Sequence, residues 1–289
     1  MIHLRPVSAS RRRADLAARL MLGFCALLTV AALAALLGTL VVKGAASIDG
    51  AFLSSYPSRF AHKAGVLPAI VGTVLVGLVS MAVAIPLGIA AAVYLNEFAP
   101  DNRLTTLLRA SVANLAGVPS VVFGILGLAL FVRALALGKS ILAAGLTLGL
   151  LTLPIIIVVA EEALKTVPRS MREAAFGLGA TRWQAVRHHV LPYALPGMLT
   201  GSILALSRSM GETAPLILIG AAVYVGFLPE GPLDSFTALP IQAYYWAQES
   251  RSAFHDLAWA AALVLVLLVL AGNLAAILLR DRSQKKYRW

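Results

Sequence analysis

The sequence predicts an all-α, polytopic membrane protein, and three observations carry that prediction. The 289 residues are 60% hydrophobic and only 13% charged, with a mean hydropathy of +0.85. A soluble domain holds roughly 45–50% apolar and about 25% charged residues, so no single water-exposed core absorbs this excess. Six long apolar runs follow one another along the chain, each able to supply the about 20 residues that cross ~30 Å of hydrocarbon as a helix. None of them alternates polar and apolar residues with period two. Lipid offers nothing to an open strand edge, so the runs read as helices and not as a barrel.

The charge-free runs are Leu20–Val42, Ala64–Asn96, Ala110–Val132, Ser140–Ala160, Val190–Pro229 (interrupted by Arg208 and Glu212) and Leu257–Leu279. Leu20–Val42 is long for the apolar region of a signal peptide, and Lys43–Ser47 is a weak cleavage match, so it reads as a retained span. Pro86 inside the second run removes a helical hydrogen bond and predicts a kink. The fifth run, at 40 residues, would extend ~60 Å as one helix. Breakers at Pro192, Pro196-Gly197 and Gly211–Pro215 therefore predict a discontinuous element. Thr213 is placed to cap a second half-helix, with Pro215 in its first turn. The resulting plan is a basic N-terminal segment 1–19 and a six-span domain 20–280. Its spans lie near 20–42, 68–94, 110–132, 140–160, 196–225 and 257–279, with a long loop at 161–195 and a basic tail at 281–289.

The net charge of +11 would suggest nucleic acid on a soluble protein. Here its distribution says otherwise. With the N-terminus inside, 17 Lys/Arg fall on cytoplasmic segments and 6 on outer ones, which places both termini in the cytoplasm of a multi-pass protein. The excess is a topology signal, and nucleic-acid binding is a poor reading. The single cysteine, Cys25, excludes an intrachain disulfide, and His188-His189 lack a third ligand nearby, so no metal site is expected. Gly138-Lys139-Ser140 has the ending of a phosphate-binding loop, but position 133, where the leading Gly belongs, is Arg. No hydrolase motif occurs, and the chain reads as a non-enzyme.

Two segments carry chemistry. The stretch 161–189 has helical composition, with Glu173-Ala174-Ala175 leading to Gly179, which lets the chain turn before another helix begins near Thr181. By periodicity alone it is a solvated amphipathic connector. In the fifth run, Arg208 and Glu212 stand four residues apart on one helical face. An Arg near mid-membrane costs ~2.5–3.5 kcal/mol even on the lenient insertion scale, so it should face a cavity or a partner. One reading is a structural ion pair. The other is a substrate path in which the planar guanidinium meets an oxyanion, with Ser207, Ser209 and Thr213 adding neutral donors. The neighbouring break favours the second, since half-helix ends beside a broken span suit ions. Gly145/Gly149 and Gly197/Gly201 each permit close helix approach, within the chain or between chains.

The order Glu-Ala-Ala, three residues, Gly, then Leu191-Pro192 resembles the EAA loop of ABC-importer permeases, although His189 stands where that family has an aliphatic residue. The resemblance extends over nearly all of residues 68–280. Thr73, Pro86-Leu-Gly88, Tyr94–Glu97, Asn114–Ser120 with Phe123-Gly124, Arg208–Pro215 and Thr237–Gln242 are similar to the phosphate-specific branch. It implies a type I importer permease of the bacterial inner membrane forming half of a path for inorganic phosphate. It also implies a second homologous permease chain, two ATP-binding subunits and a periplasmic phosphate-binding protein. No cofactor belongs to this chain: ATP and Mg reside on the ATPase partner. Glu173, Ala174, Ala175 and Gly179 would couple to that ATPase, and Arg208, Ser209, Glu212 and Thr213 would line the path. Leu239, Pro240, Tyr244 and Trp246 would contact the binding protein. A permease for molybdate or sulfate is the nearest alternative, and a stand-alone channel or secondary carrier a more distant one, because the coupling loop has no purpose without an ATPase.

Overall fold

A computed structural model describes residues 9–222 and 224–285. Twelve α-helices appear among them: α1 (Ala9–Ala45), α2 (Gly50–Ser54), α3 (Leu67–Val93), α4 (Arg103–Leu115), α5 (Ser120–Gly127), α6 (Ile141–Lys165), α7 (Arg169–Gly177), α8 (Arg182–Ala185), α9 (Leu191–Gly211), α10 (Ala214–Ile219), α11 (Leu239–Gln248) and α12 (Ser252–Lys285). There is no strand among the described residues. Wide π-type turns at Tyr94–Phe98, Leu128–Ala134 and Val186–Val190 extend α3 and α5 and lead into α9. The predicted 1–8 and 286–289 portions of the basic termini lie outside the described residues.

Five helical segments are long and apolar enough to cross a membrane, and a sixth is counted if one bent pair forms a span. That pair departs from the sequence reading. The run 110–132 is not one helix: α4 and the α5 segment meet at a 100° bend. The cause is local. Gly117 N–H and Val118 N–H fold back onto Asn114 O and Leu115 O, Pro119 at the head of α5 is itself extended, and its ring disfavours helix at Val118 before it.

The fifth run departs as well. Pro192 sits in the first turn of α9, where its missing N–H costs nothing, and Pro196 lies inside the helix without ending it. Only Gly211–Pro215 breaks the element: Glu212 is extended, and a six-residue helix, α10, follows. Thr213 occupies the cap position but its side chain makes no capping hydrogen bond. Pro86, likewise, is accommodated inside α3.

Small residues set the helix spacing. α3 and α6 share the most extensive contact in the chain. A Cβ on Gly145 would meet Val79 at 2.4 Å, one on Gly88 would meet Ile156 at 2.6 Å, and one on Gly201 would meet Val159 of α6 at 2.0 Å. Both glycine pairs therefore serve packing within the chain, where van der Waals fit replaces the hydrophobic drive absent in lipid. α1 stands apart: its apolar window buries nothing, and it touches the bundle near its end, where Gly44 lies against Trp259 and Leu263 of α12.

Candidate functional site at the broken span and the coupling segment

Arg208 lies in the last turn of α9, where a cation is favourable beside the helix carbonyl end. Its Nε is 3.5 Å from Glu212 Oε1, with the Arg side chain 54% exposed and the Glu side chain 15% exposed. Glu212 is already past the helix, so the pair meets as a single contact and leaves the terminal guanidinium nitrogens open. Glu212 faces inward and Arg208 outward. Thr213 lines a groove of about 560 Å³ together with Pro240, Tyr244, His255 and Trp259.

The other predicted donors belong elsewhere. Ser209 is fully buried, and its hydroxyl has no hydrogen-bond partner. Ser207 Oγ is 2.6 Å from Asn273 Oδ1 on α12. That bridge ties the two helices and occupies the group expected to serve a substrate.

The outer segment is largely structural. Leu239, Pro240 and Trp246 are buried, and Trp246 packs between Phe52 and Phe254 with ring centroids at 6.2 Å from each. Leu239 and Trp246, which the resemblance would put against the binding protein, are thus packed inside this chain, and Pro240 shows only its edge in the groove beside Thr213. Tyr244 remains exposed, at 46%. The head of α11 is held by Thr73, whose Oγ1 accepts from Leu239 N–H at 2.8 Å and donates to Ala69 O at 2.7 Å. A Cβ on Gly72 would meet Thr237 O at 2.0 Å. The Thr237–Gln242 string is thus a seat on α3.

At the opposite end, Glu173 and Ala174 are exposed on α7 while Ala175 turns into the chain. The two adjacent alanines therefore point to different surroundings. Gly179 adopts φ +82°, with its N–H on Phe176 O at 2.9 Å and open space at its Cβ position. It serves a left-handed turn. Thr181 and Gln184 form a reciprocal capping box that starts α8. The turn pushes Leu178 out to 90% exposure beside half-exposed Phe176.

The segment that holds α7 and α8 is anchored by groups that the sequence alone does not pair. Arg172 reaches Glu97 through Nη2–Oε1 at 2.6 Å and Nε–Oε2 at 3.2 Å, and also donates to Val167 O and Leu164 O. Arg109 Nε stands 3.7 Å from Glu161 Oε1, and its Nη2 donates to Leu95 O. A carboxylate at each end of an apolar run and an Arg next to Glu173 were the available signals.

A family profile described as "Binding-protein-dependent transport system inner membrane component" matches residues 84–289, the portion that holds α7, the turn at Gly179 and the broken span. The chain belongs to that family. This permease component is 30% identical to the probable ABC transporter permease protein YqgI of Bacillus subtilis, with 96% of this chain and 98% of that protein covered. It is 35% identical to the phosphate transport system permease protein PstA 1 of Mycobacterium tuberculosis, over 80% of this chain and 74% of that one. In fold, the permease resembles a chain from the crystal structure of a bacterial ABC transporter involved in import of the acidic polysaccharide alginate. The TM-score there is 0.66 at 16% identity, covering 94% of this chain and 99% of the other. The fold is that of a type I importer permease.

Proposed function

We propose that this permease forms half of the translocation path for inorganic phosphate, beside a second homologous permease chain. Both termini lie in the cytoplasm, as the 17:6 distribution of basic residues indicates. Of two ATP-binding subunits in the complex, one docks on this chain's α7–Gly179 turn, where exposed Leu178 and Phe176 supply an apolar knob beside Glu173 and Ala174. ATP and Mg belong to those subunits. A periplasmic phosphate-binding protein meets the opposite end, where Tyr244 offers contact.

The observation that carries the substrate reading is Arg208. A half-exposed guanidinium in a membrane span is costly, and its open nitrogens form a planar fork matched to a tetrahedral oxyanion. Glu212 holds the guanidinium in place and yields it to substrate as the path opens. Kinship to permeases named for phosphate transport supports the choice of anion.

Uptake competition decides it. Proteoliposomes holding the assembled complex should take up labelled phosphate in the presence of excess sulfate or molybdate and lose uptake to unlabelled phosphate. Competition by molybdate or sulfate in place of phosphate assigns the permease to another oxyanion.

A further inference from the structure

Besides the path and the docking turn, the chain holds a slot of about 400 Å³ between the end of α3 and the entry to α9. Pro86, Ile89 and Val93 form one wall, and Val186 and Leu191 form the other. Phe98, Trp183 and Arg187 stand at its mouth. From Phe98 to Pro86 the slot follows twelve residues of helical chain, about 18 Å at ~1.5 Å per residue. That reaches about half-way across ~30 Å of hydrocarbon. A soluble subunit cannot enter to that depth.

The mouth is basic. Arg187 has no ion-pair partner among the described residues, and Arg182 lies over the Phe98 ring at 5.8 Å without a carboxylate. Glu97, next to Phe98, is buried and committed to Arg172, and the exposed carboxylates of Asp101 and Glu173 pair with neither Arg182 nor Arg187 among the described residues. Tyr94 and Trp183 are more than half exposed there, as amphipathic rings are at the level of lipid headgroups.

We propose that the slot binds an anionic phospholipid, with one acyl chain along Pro86–Val93 and the headgroup phosphate on Arg187, assisted by Arg182. An apolar channel open at membrane depth takes a hydrocarbon chain, and guanidinium groups at its cytoplasmic mouth match a phosphodiester. The assignment rests on the cytoplasmic placement of α7 and not on the identity of the transported anion. The bound lipid wedges α3 against α8 and the start of α9, next to the turn that carries Leu178.

The test counts lipids retained by the full complex. After detergent exchange in equal phosphatidylglycerol and phosphatidylcholine, native mass spectrometry should find phosphatidylglycerol retained in preference. Arg187→Gln should cut that preference about fivefold, the effect of one basic residue at a headgroup surface, while Arg187→Lys keeps most of it. Ala90→Phe fills the slot from an exposed position and should abolish retention with the charges intact. Intact assembly on gel filtration separates lost lipid from lost fold. Excess inorganic phosphate should leave the lipid in place, because the acyl chain holds it. The proposal is overturned by equal retention of both lipids, by retention unchanged in Arg187→Gln and Ala90→Phe, or by displacement with free phosphate. Crosslinking from position 89 to the second permease chain instead of to lipid would also overturn it.

Discussion

Arg172 on α7 closes a two-pronged ion pair on Glu97, 75 residues earlier, at the end of α3. Glu97 is 8% exposed and Arg172 20%. The same guanidinium holds Val167 O and Leu164 O, so it binds the turn between α6 and α7 as well. Arg172 thus links α7 both to the end of α3 and to the end of α6, the two helices that share the most extensive contact among the described residues.

Glu97→Gln leaves the Arg charge half-compensated in a buried place, and breaking such a pair costs about 3 kcal/mol. ATP turnover of the assembled complex should persist while its coupling to uptake falls. Arg172→Lys should retain part of the coupling. The charge exchange Glu97→Arg with Arg172→Glu should fail to rescue, because a carboxylate at position 172 would face two carbonyls. Rescue by the exchange would show that the pair acts through charge alone.

Thr73→Val preserves shape but leaves Leu239 N–H buried without an acceptor, at a cost of about 1–3 kcal/mol. The thermal midpoint in detergent should fall, and limited proteolysis should increase near Thr237–Leu239. Thr73→Ser, which keeps the hydroxyl, should match the parent on both measures.

Trp246 and Tyr244 should separate cleanly. Trp246→Ala removes a ring seated between Phe52 and Phe254 and should cost about 3 kcal/mol of stability. Tyr244→Ala, on an exposed side chain, should leave the thermal midpoint unchanged and weaken docking of the binding protein, read by surface plasmon resonance. Equal loss of stability in both would contradict the burial difference.

These contrasts mark how much was legible in the residues. Composition and run length announce the helical spans, because the demand for apolar length is local. The 100° bend between Leu115 and Ser120 left the hydropathy of the run untouched, so only Gly117 and Pro119 hinted at it. For Trp246 the resemblance implies a contact with the binding protein, but aromatics suit surfaces and cores alike, and only its packing between Phe52 and Phe254 separates the two. The local turn at Gly179 was readable from a single glycine in a helical stretch. The Glu97–Arg172 pair was not, since its partners meet only when α3 and α7 do. Ser209, expected in the path, lies on the buried side of α9, one residue round from Arg208.

The central claim is that Arg208 meets the transported anion. The decisive measurement is phosphate uptake and substrate-stimulated ATP turnover by the assembled complex carrying Arg208→Gln, with Glu212→Gln alongside. The account predicts loss of both activities in Arg208→Gln, with normal assembly and basal ATP turnover, and a milder defect in Glu212→Gln. Arg208→Gln that imports phosphate at the parental rate would contradict it and leave Arg208–Glu212 as a structural pair.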